Sequence, residues 1–379
     1  MIDYVAYLFD PFGRYRTTIS QFIDADGAAL DYTVSCVPGA VGECVLTPPL
    51  GTDPSLFVQD GRIAIGRSIN GRAPVIDMQA IFLIKEIEDS ATSTIVRAAH
   101  TNCLLHTRTI NYPADSAYVQ RAAAPADDQI KALARENLGS LINTGLRYGV
   151  ETQADLSAYL QIAPDLAQGA SVPVADIAQR TLGEVIRDLC AQSATAGTYL
   201  TAMVEAITPA LLELRTYAGQ RGLDRRAGVA VRPIVLSEAT GTVENVKVIR
   251  SWREAATFVI AGGAGESSDR LIATAFDAVR AAASPFGRVE RFVESSDTDT
   301  PAVLQGVADA ALRQARETRV LTADLRETDG ATRGLHYDLG DVLTVEHART
   351  QQQFDARLDV VRVSVGGGQQ RSQAALRSL

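Results

Sequence analysis

Residues 354–365, Phe-Asp-Ala-Arg-Leu-Asp-Val-Val-Arg-Val-Ser-Val, constrain the fold more than any other stretch of the chain. Apolar side chains fall at 354, 356, 358 and 360, then change phase to 361, 363 and 365. A period of two marks a strand with one buried and one solvated face. A one-residue change of phase is what a β-bulge produces, and bulges bend strands where small barrels turn a corner. The spacing predicts that bulge at Val360 and Val361. Upstream, Tyr337-Asp-Leu-Gly-Asp-Val-Leu-Thr-Val-Glu supplies the other half of a hairpin, opened by the motif Leu339, Gly340 and Asp341. A polar tip over residues 347–353 joins the two. The pattern is that of a scaffold, with no catalytic elbow.

A chain of 379 residues exceeds one ordinary core and predicts two to four domains. Its 46% hydrophobic and 21% charged content is that of a soluble globular protein. No run approaches the roughly 18–20 apolar residues of a membrane span. Asp3 and Asp10 interrupt an N-terminus without a basic region, so export by its own signal is not expected. The net charge of −9 opposes condensation onto DNA, which needs clustered cations. The basic pieces at 221–226 and 313–319 are short and diluted by acids, as solvated faces are. Four cysteines (36, 44, 103 and 190) are too few for a disulfide framework. A turn centred on Ala40 would set Cys36 opposite Cys44, but without a secretion signal free thiols are the expectation.

Residues 1–120 read as short strands between turns, with Asn70-Gly71 a strong hairpin signal. Such spacing implies a barrel or sandwich. Residues 121–227 change to helical spacing: Asp127 is the predicted cap of a helix bearing Ile130, Leu133, Leu138 and Leu141. A second helix opens with the capping box Thr181-Leu-Gly-Glu184 and carries Leu182, Val185, Ile186, Leu189 and Cys190 on one face. Strands return at 231–236, 246–249 and 257–261. Thr300-Pro301 then starts a helix whose stripe includes Leu304, Ala308, Ala311 and Leu312. Beyond Gly366 the Gln/Arg/Ser-rich end reads as a mobile tail over 368–379.

Four constellations have residue types that could carry chemistry. His100 and His106, placed on one extended strand, would stand roughly 20 Å apart, too far to share a metal ion with Cys103. The glycine run at 262–265 lacks the Lys-Ser/Thr ending of a phosphate loop and is followed by Glu266 and Asp269. Asp127 with Asp128, and Glu294 with Asp297 and Asp299, could serve glycoside hydrolysis, but nothing supplies an acid of raised pKa. Neither Gly-x-Ser-x-Gly nor His-Glu-x-x-His occurs. No catalytic residue, metal site or cofactor site follows, and the chain does not read as an enzyme.

Three segments then carry a family resemblance. The first runs from Ile81-Phe-Leu-Ile-Lys-Glu-Ile through Leu104-Leu-His-Thr-Arg-Thr-Ile-Asn-Tyr112. The second joins Ala126-Asp-Asp-Gln-Ile-Lys and Glu136-Asn-Leu138 to Gly222-Leu-Asp-Arg-Arg226. The third is Gly287-Arg-Val-Glu-Arg-Phe-Val-Glu294 followed by the Leu-Gly-Asp hairpin. In this order they resemble the hub proteins at the tips of bacteriophage tails, the siphophage tail-associated family related to contractile baseplate hubs. The resemblance implies an α+β, mainly β chain with two small antiparallel β-barrels and helical or mixed lateral inserts. The first barrel would occupy 1–120 and the second 228–262 with 325–367, with inserts at 121–227 and 263–324. It also implies a homotrimer in the virion tail tip, presenting pseudo-six-fold symmetry to six-fold rings and opening for DNA passage.

Implied partners are the distal tail protein ring, the tail tube protein, the tape measure protein, and a separate tail fibre, spike or receptor-binding protein. Genomic DNA would pass without specific binding, since an acidic wall does not hold it. The chain stops soon after its last predicted strand, so adhesion or cell-wall cleavage would reside in a partner. The hairpin tip, with His347, Arg349, Gln351 and Gln352, is the candidate contact with a neighbouring ring. A glycan-binding adhesin is the competing reading; it predicts exposed aromatic platforms, against an aromatic content of 6%. A contractile or gene-transfer particle could use the same hub.

Overall fold

Strand-forming residues and turn chemistry dominate the first hundred positions of the protein, and a computed structural model shows what they build. It describes residues 2–22, 29–110, 116, 118–139, 155–295, 298–350, 352–366 and 369–378. Tyr112, Leu141, Asp297 and Gln351, all used in the sequence reading, lie outside the described residues.

The first wing consists of β1 (Ile2–Phe9), β2 (Tyr15–Ile19), β3 (Leu30–Ser35), β4 (Glu43–Leu46), β5 (Arg62–Ile69), β6 (Val75–Asp89) and β7 (Thr94–His100). As predicted, Asn70 and Gly71 turn the chain between β5 and β6. Both have positive φ, and the Arg72 N–H donates to the Ile69 carbonyl at 3.2 Å, closing a type I′ turn. An insert follows: β8 (Val119–Pro125), α1 (Ala126–Asn137), β9 (Leu160–Ile162), β10 (Ser171–Ile177), α2 (Leu182–Thr195), β11 (Leu200–Ala206) and β12 (Leu212–Ala218). The remainder holds β13 (Val235–Ser237), β14 (Val243–Ser251), β15 (Phe258–Gly262), β16 (Ile272–Phe276), α3 (Ala278–Ala282), β17 (Glu290–Glu294), α4 (Pro301–Gln314), β18 (Thr318–Leu325), β19 (Val342–His347), β20 (Gln352–Gly366) and β21 (Gln369–Ser378).

One 13-stranded sheet runs through both wings in the order β14-β18-β21-β20-β3-β4-β7-β6-β5-β1-β2, with β19 and β13 branching from β20. The mainly β, α+β class is as predicted. The two expected barrels differ in one respect: among the described residues no ladder closes either wing on itself, and the wings are joined edge to edge. The joint is β20. Its first half pairs with β19, its second half pairs Val360–Val365 against Ser35–Leu30 of β3, and β21 lines its other edge.

The bulge sits where β20 changes partner, one residue earlier than predicted. The register slips between Leu358 and Val360, making Asp359 the extra residue. The apolar count locates the phase change but not which residue is extruded. Asp359 is held there because its carbonyl accepts from the Cys36 N–H at 3.0 Å, while its buried carboxylate pairs with Arg357 at 2.6 Å and Arg377 at 3.2 Å.

The predicted mobile tail is the largest correction. Residues 369–378 form β21, a central strand between β18 and β20. Its inward side chains are Ser372, Ala374 and Leu376, two of them so small that the alternation vanishes among the polar residues. Other differences are local. Val231 is fully exposed, and the strand predicted at 231–236 shrinks to Val235–Ser237. The chain leaves the strand at His100 for a 3₁₀ turn, so His106 does not share its face. Pro125, not Asp127, is the N-cap of α1; Asp127 is buried in the first turn and pairs with Lys131 at 2.6 Å. The Thr181/Glu184 capping box forms as predicted. Pro301 opens α4, but the Thr300 hydroxyl turns to Asp299 and caps nothing.

The two wings share a single core, from Tyr32, Phe82 and Ile84 across to Leu343, Leu358, Val361 and Leu376. The insert has its own core between α1, α2 and its short strands. A third, smaller core lies between α4 and the sheet β16-β15-β17.

Candidate functional site

The Leu-Gly-Asp motif lies where three parts of the chain meet. Gly340 takes φ +91°, a left-handed geometry that favours glycine. Its N–H donates to the Leu358 carbonyl at 2.8 Å, and the Leu358 N–H returns to the Asp341 carbonyl at 2.9 Å. Asp341 accepts from the Leu223 N–H at 2.6 Å and the Asp338 N–H at 3.0 Å. The Leu339 carbonyl accepts from the Arg221 guanidinium at 2.5 Å. Gly222 is a close-approach glycine: a Cβ there would fall 2.2 Å from the Asp341 carboxylate. The motif therefore clamps the segment leaving the insert onto the hairpin. Arg221 also pairs with Glu205, which accepts from Tyr217; burial, then Glu205, pushes the Tyr217 hydroxyl up to about 12.

Beside the clamp, a buried charge network ties the wings together. Arg333, 1% exposed, reaches from the loop before the motif to Asp77 of β6 at 3.0 Å and to the Tyr32 hydroxyl of β3 at 3.4 Å. It also faces Asp338 at 3.5 Å. Arg67 of β5 donates to the Arg333 carbonyl at 2.7 Å and pairs with Glu327 at 2.9 Å, while the Arg333 N–H donates to the other Glu327 oxygen at 2.9 Å. Gln79 of β6 donates to Asp338 at 3.2 Å. Burial raises the Glu327 carboxyl against the pull of Arg67 and Arg333, and raises the Asp338 carboxyl against the pull of Arg333, with Asp77 adding to the rise. Burial works against the charge on Arg333, but Asp77, Tyr32 and Asp338 outweigh it, so its pKa is raised. Geometry of this kind fixes the relative position of the two wings.

His100 extends the network. Its Nε2 donates to the Gln79 carbonyl at 3.0 Å and its Nδ1 accepts from the Asn102 N–H at 3.3 Å, which requires a neutral ring. Burial accordingly lowers its pKa to about 4 from 6.5. Below pH 6.5 the unfolded chain binds a proton that the folded chain refuses until about pH 4. Stability therefore falls as pH drops through that window, by about 3 kcal/mol in full. Urea unfolding at a series of pH values checks this: the slope should flatten in His100→Gln, and an unchanged slope would contradict it.

The other predicted residues lie elsewhere. His347 bonds its own loop through Thr350 at 2.9 Å, Arg349 is exposed, and Gln352 accepts from Arg250 of β14 at 3.4 Å. The hairpin tip thus leans on β14, away from the clamp. Cys36 and Cys44 are free and buried, and burial pushes the Cys36 thiol up to about 11. Asp128 accepts from the Ala167 N–H at 3.1 Å, and Glu294 pairs with Arg270. Among the described residues no group of His, Cys, Asp and Glu could hold a metal, and no helix is long and apolar enough to cross a membrane. Sequence reasoning missed Arg67 and Arg333. The signal for Arg67 was a charge within an otherwise buried strand; Arg333 lies in the polar, glycine-bounded run 330–334, which reads as an ordinary loop.

A family model described as Siphovirus ReqiPepy6 Gp37-like protein matches residues 84–376, more than half of the chain. No curated protein matches in sequence. Among solved structures, the tail protein from Neisseria meningitidis MC58 is similar at 13% identity and a TM-score of 0.62, over 99% of this chain and 97% of that one. The 43 kDa tail protein of prophage MuSo2 from Shewanella oneidensis is similar at 10% identity and 0.59, over 99% and 98%. Prophage tail protein gp18 from Listeria monocytogenes EGD-e is similar at 11% identity and 0.53, over 99% and 94%. At such identities the likeness is one of fold.

Proposed function

The chain belongs to the Siphovirus ReqiPepy6 Gp37-like family, and on that premise we propose that it is the hub of the phage tail tip. It is a structural protein of the virion tail. Three copies form a ring that closes the tail tube, matches six-fold tail rings to a three-fold tip, and opens for DNA passage. The observation that carries this reading is the pair of mainly antiparallel wings on one chain, fused through β20 and β3 and fixed by the buried network. Three copies present six wings, which is how a three-fold body meets a six-fold ring.

The first wing corresponds to 1–120; the second departs from the expected 228–262 with 325–367, taking in β18 and β21 and giving up β15, which pairs in the small lateral sheet, so that 121–227 and the part between β14 and β18 stand to the side. The loop with His347, Arg349 and Gln352 is the proposed ring contact. The distal tail protein ring, tail tube and tape measure proteins are its neighbours, with a fibre, spike or receptor-binding protein as a further partner. A net charge of −9 suits a wall past which DNA slides. Quantitative mass spectrometry of purified particles tests the role: three copies per tail are expected, with tagged protein at the distal end. Six copies, or a tag along the tube, contradict it.

A further inference from the structure

The second half of β12 has a free edge, and that edge faces a cavity. On one side β12 pairs with β11 along its whole length; on the other, β9 accompanies only Leu212, Glu213 and Leu214. Hydrogen bonds fix where the remaining main-chain groups point. The Leu212 N–H donates to the Tyr159 carbonyl at 2.9 Å and the Ala163 N–H donates to the Leu214 carbonyl at 3.1 Å, so even-numbered residues of β12 face β9. Just beyond the strand, the Gly219 N–H donates to the Tyr199 carbonyl at 2.7 Å, so odd-numbered residues face β11. Alternation therefore aims the N–H and carbonyl groups of Thr216 and Ala218 outward, past the end of β9. Among the described residues these groups have no main-chain partner.

The ladder stops because the chain after Ala163 is drawn off to α1. The Pro164 carbonyl accepts from the buried Lys131 ammonium at 2.5 Å, and the Leu166 and Ala167 N–H groups donate to Asp127 at 2.7 Å and Asp128 at 3.1 Å. Between this segment and β12 lies a cavity of about 510 Å³, lined by Lys131, Pro164, Leu166, Thr216, Ala218 and Gln220 among others. Thr216 is 6% exposed, so its unpaired main chain is held away from bulk water, where unmet hydrogen-bonding groups are costly. The Gln220 amide nitrogen is a second buried donor in the same cavity without a partner.

Geometry and charge identify the guest. N–H and carbonyl pairs on every second residue, about 7 Å apart, are the stations of a β-ladder, and the group that matches them is another extended main chain. Lys131 is paired with Asp127 and Arg215 with Glu213, so the lining carries no net charge and suits an uncharged segment. The proposed ring is built by the wings while the insert stands beside them; on that reading the segment belongs to a different protein and not to a second copy.

We propose that the free half of β12 receives an extended, uncharged segment of about four residues from another protein of the particle, which takes the place β9 vacates in the sheet β11-β12-β9. Hydrogen exchange resolved to single amides, on the isolated chain and on purified particles, tests this without any variant. In the isolated chain Thr216 and Ala218 should exchange at least tenfold faster than Arg215 and Tyr217, which bond to β11; in particles they should slow at least tenfold. Particles assembled with the photo-reactive residue benzoylphenylalanine in place of Leu166, on the cavity wall, should give adducts to one short segment of a different protein. Ala218→Pro removes an outward N–H and no bond to β11, and should cut those adducts at least tenfold while the melting temperature of the isolated chain stays the same. Exchange at Thr216 and Ala218 that is equal in chain and particle, adducts to a second copy, no adduct, or adducts unaffected by Ala218→Pro would each overturn the proposal. The copy number and mass of the ring do not depend on any of these results, so the hub reading stands or falls separately.

Discussion

Replacing Arg333 with alanine is expected to lower stability by about 3–5 kcal/mol, the cost of stripping a buried ion pair of one partner. The guanidinium is 1% exposed and is shared by Asp77, Asp338 and the Tyr32 hydroxyl. Without it, Asp77 faces the core between the wings with its charge uncompensated. Adding Asp77→Asn to Arg333→Ala should restore part of the loss, because the orphaned charge disappears with it. A matched pair of urea unfolding curves reads both effects. A loss under about 1 kcal/mol, with no recovery in the double variant, would mean the network does not hold the wings. Arg349→Ala, at the exposed tip, provides the contrast and should leave stability unchanged.

Ending the chain after Gly366 is expected to abolish cooperative folding of the second wing. The deletion removes β21, which pairs with β18 over Val320–Leu325 and with β20 along most of its length. It exposes Leu321, Leu358 and Val361, now fully buried, and leaves two rows of main-chain N–H and carbonyl groups in mid-sheet without partners. Limited proteolysis with near-ultraviolet circular dichroism gives the readout. Rapid cleavage between residues 318 and 366 is expected. A truncated chain that melts as the full one does would show that the segment is the dispensable tail its composition suggested.

That segment shows where sequence reading stops. A strand is legible when its inward residues are large, as at 354–365, where the phase change located the bulge to within a residue of Asp359. In β21 the inward residues are Ser372, Ala374 and Leu376, so the period of two survives in the fold but not in the hydropathy. The capping box at Thr181 and Glu184 was legible because both partners lie within four residues. Arg333 was not, since its partners Asp77 and Tyr32 are some 250 and 300 positions away in the chain. The Leu-Gly-Asp motif stood between these cases. Its residues marked where a hairpin strand opens, while its role as a clamp depends on Gly222 and Leu223, which only the tertiary fold brings to Asp341.

As the proposed hub, three copies of this chain should make one ring. The most direct measurement is the mass of the purified full chain in solution, paired with negative-stain class averages of the same sample. A trimeric hub gives a single species at three times 40.4 kDa and averages with three-fold symmetry and six peripheral lobes around the ring. A stable monomer at 40.4 kDa, or a two-fold dimer, would contradict it.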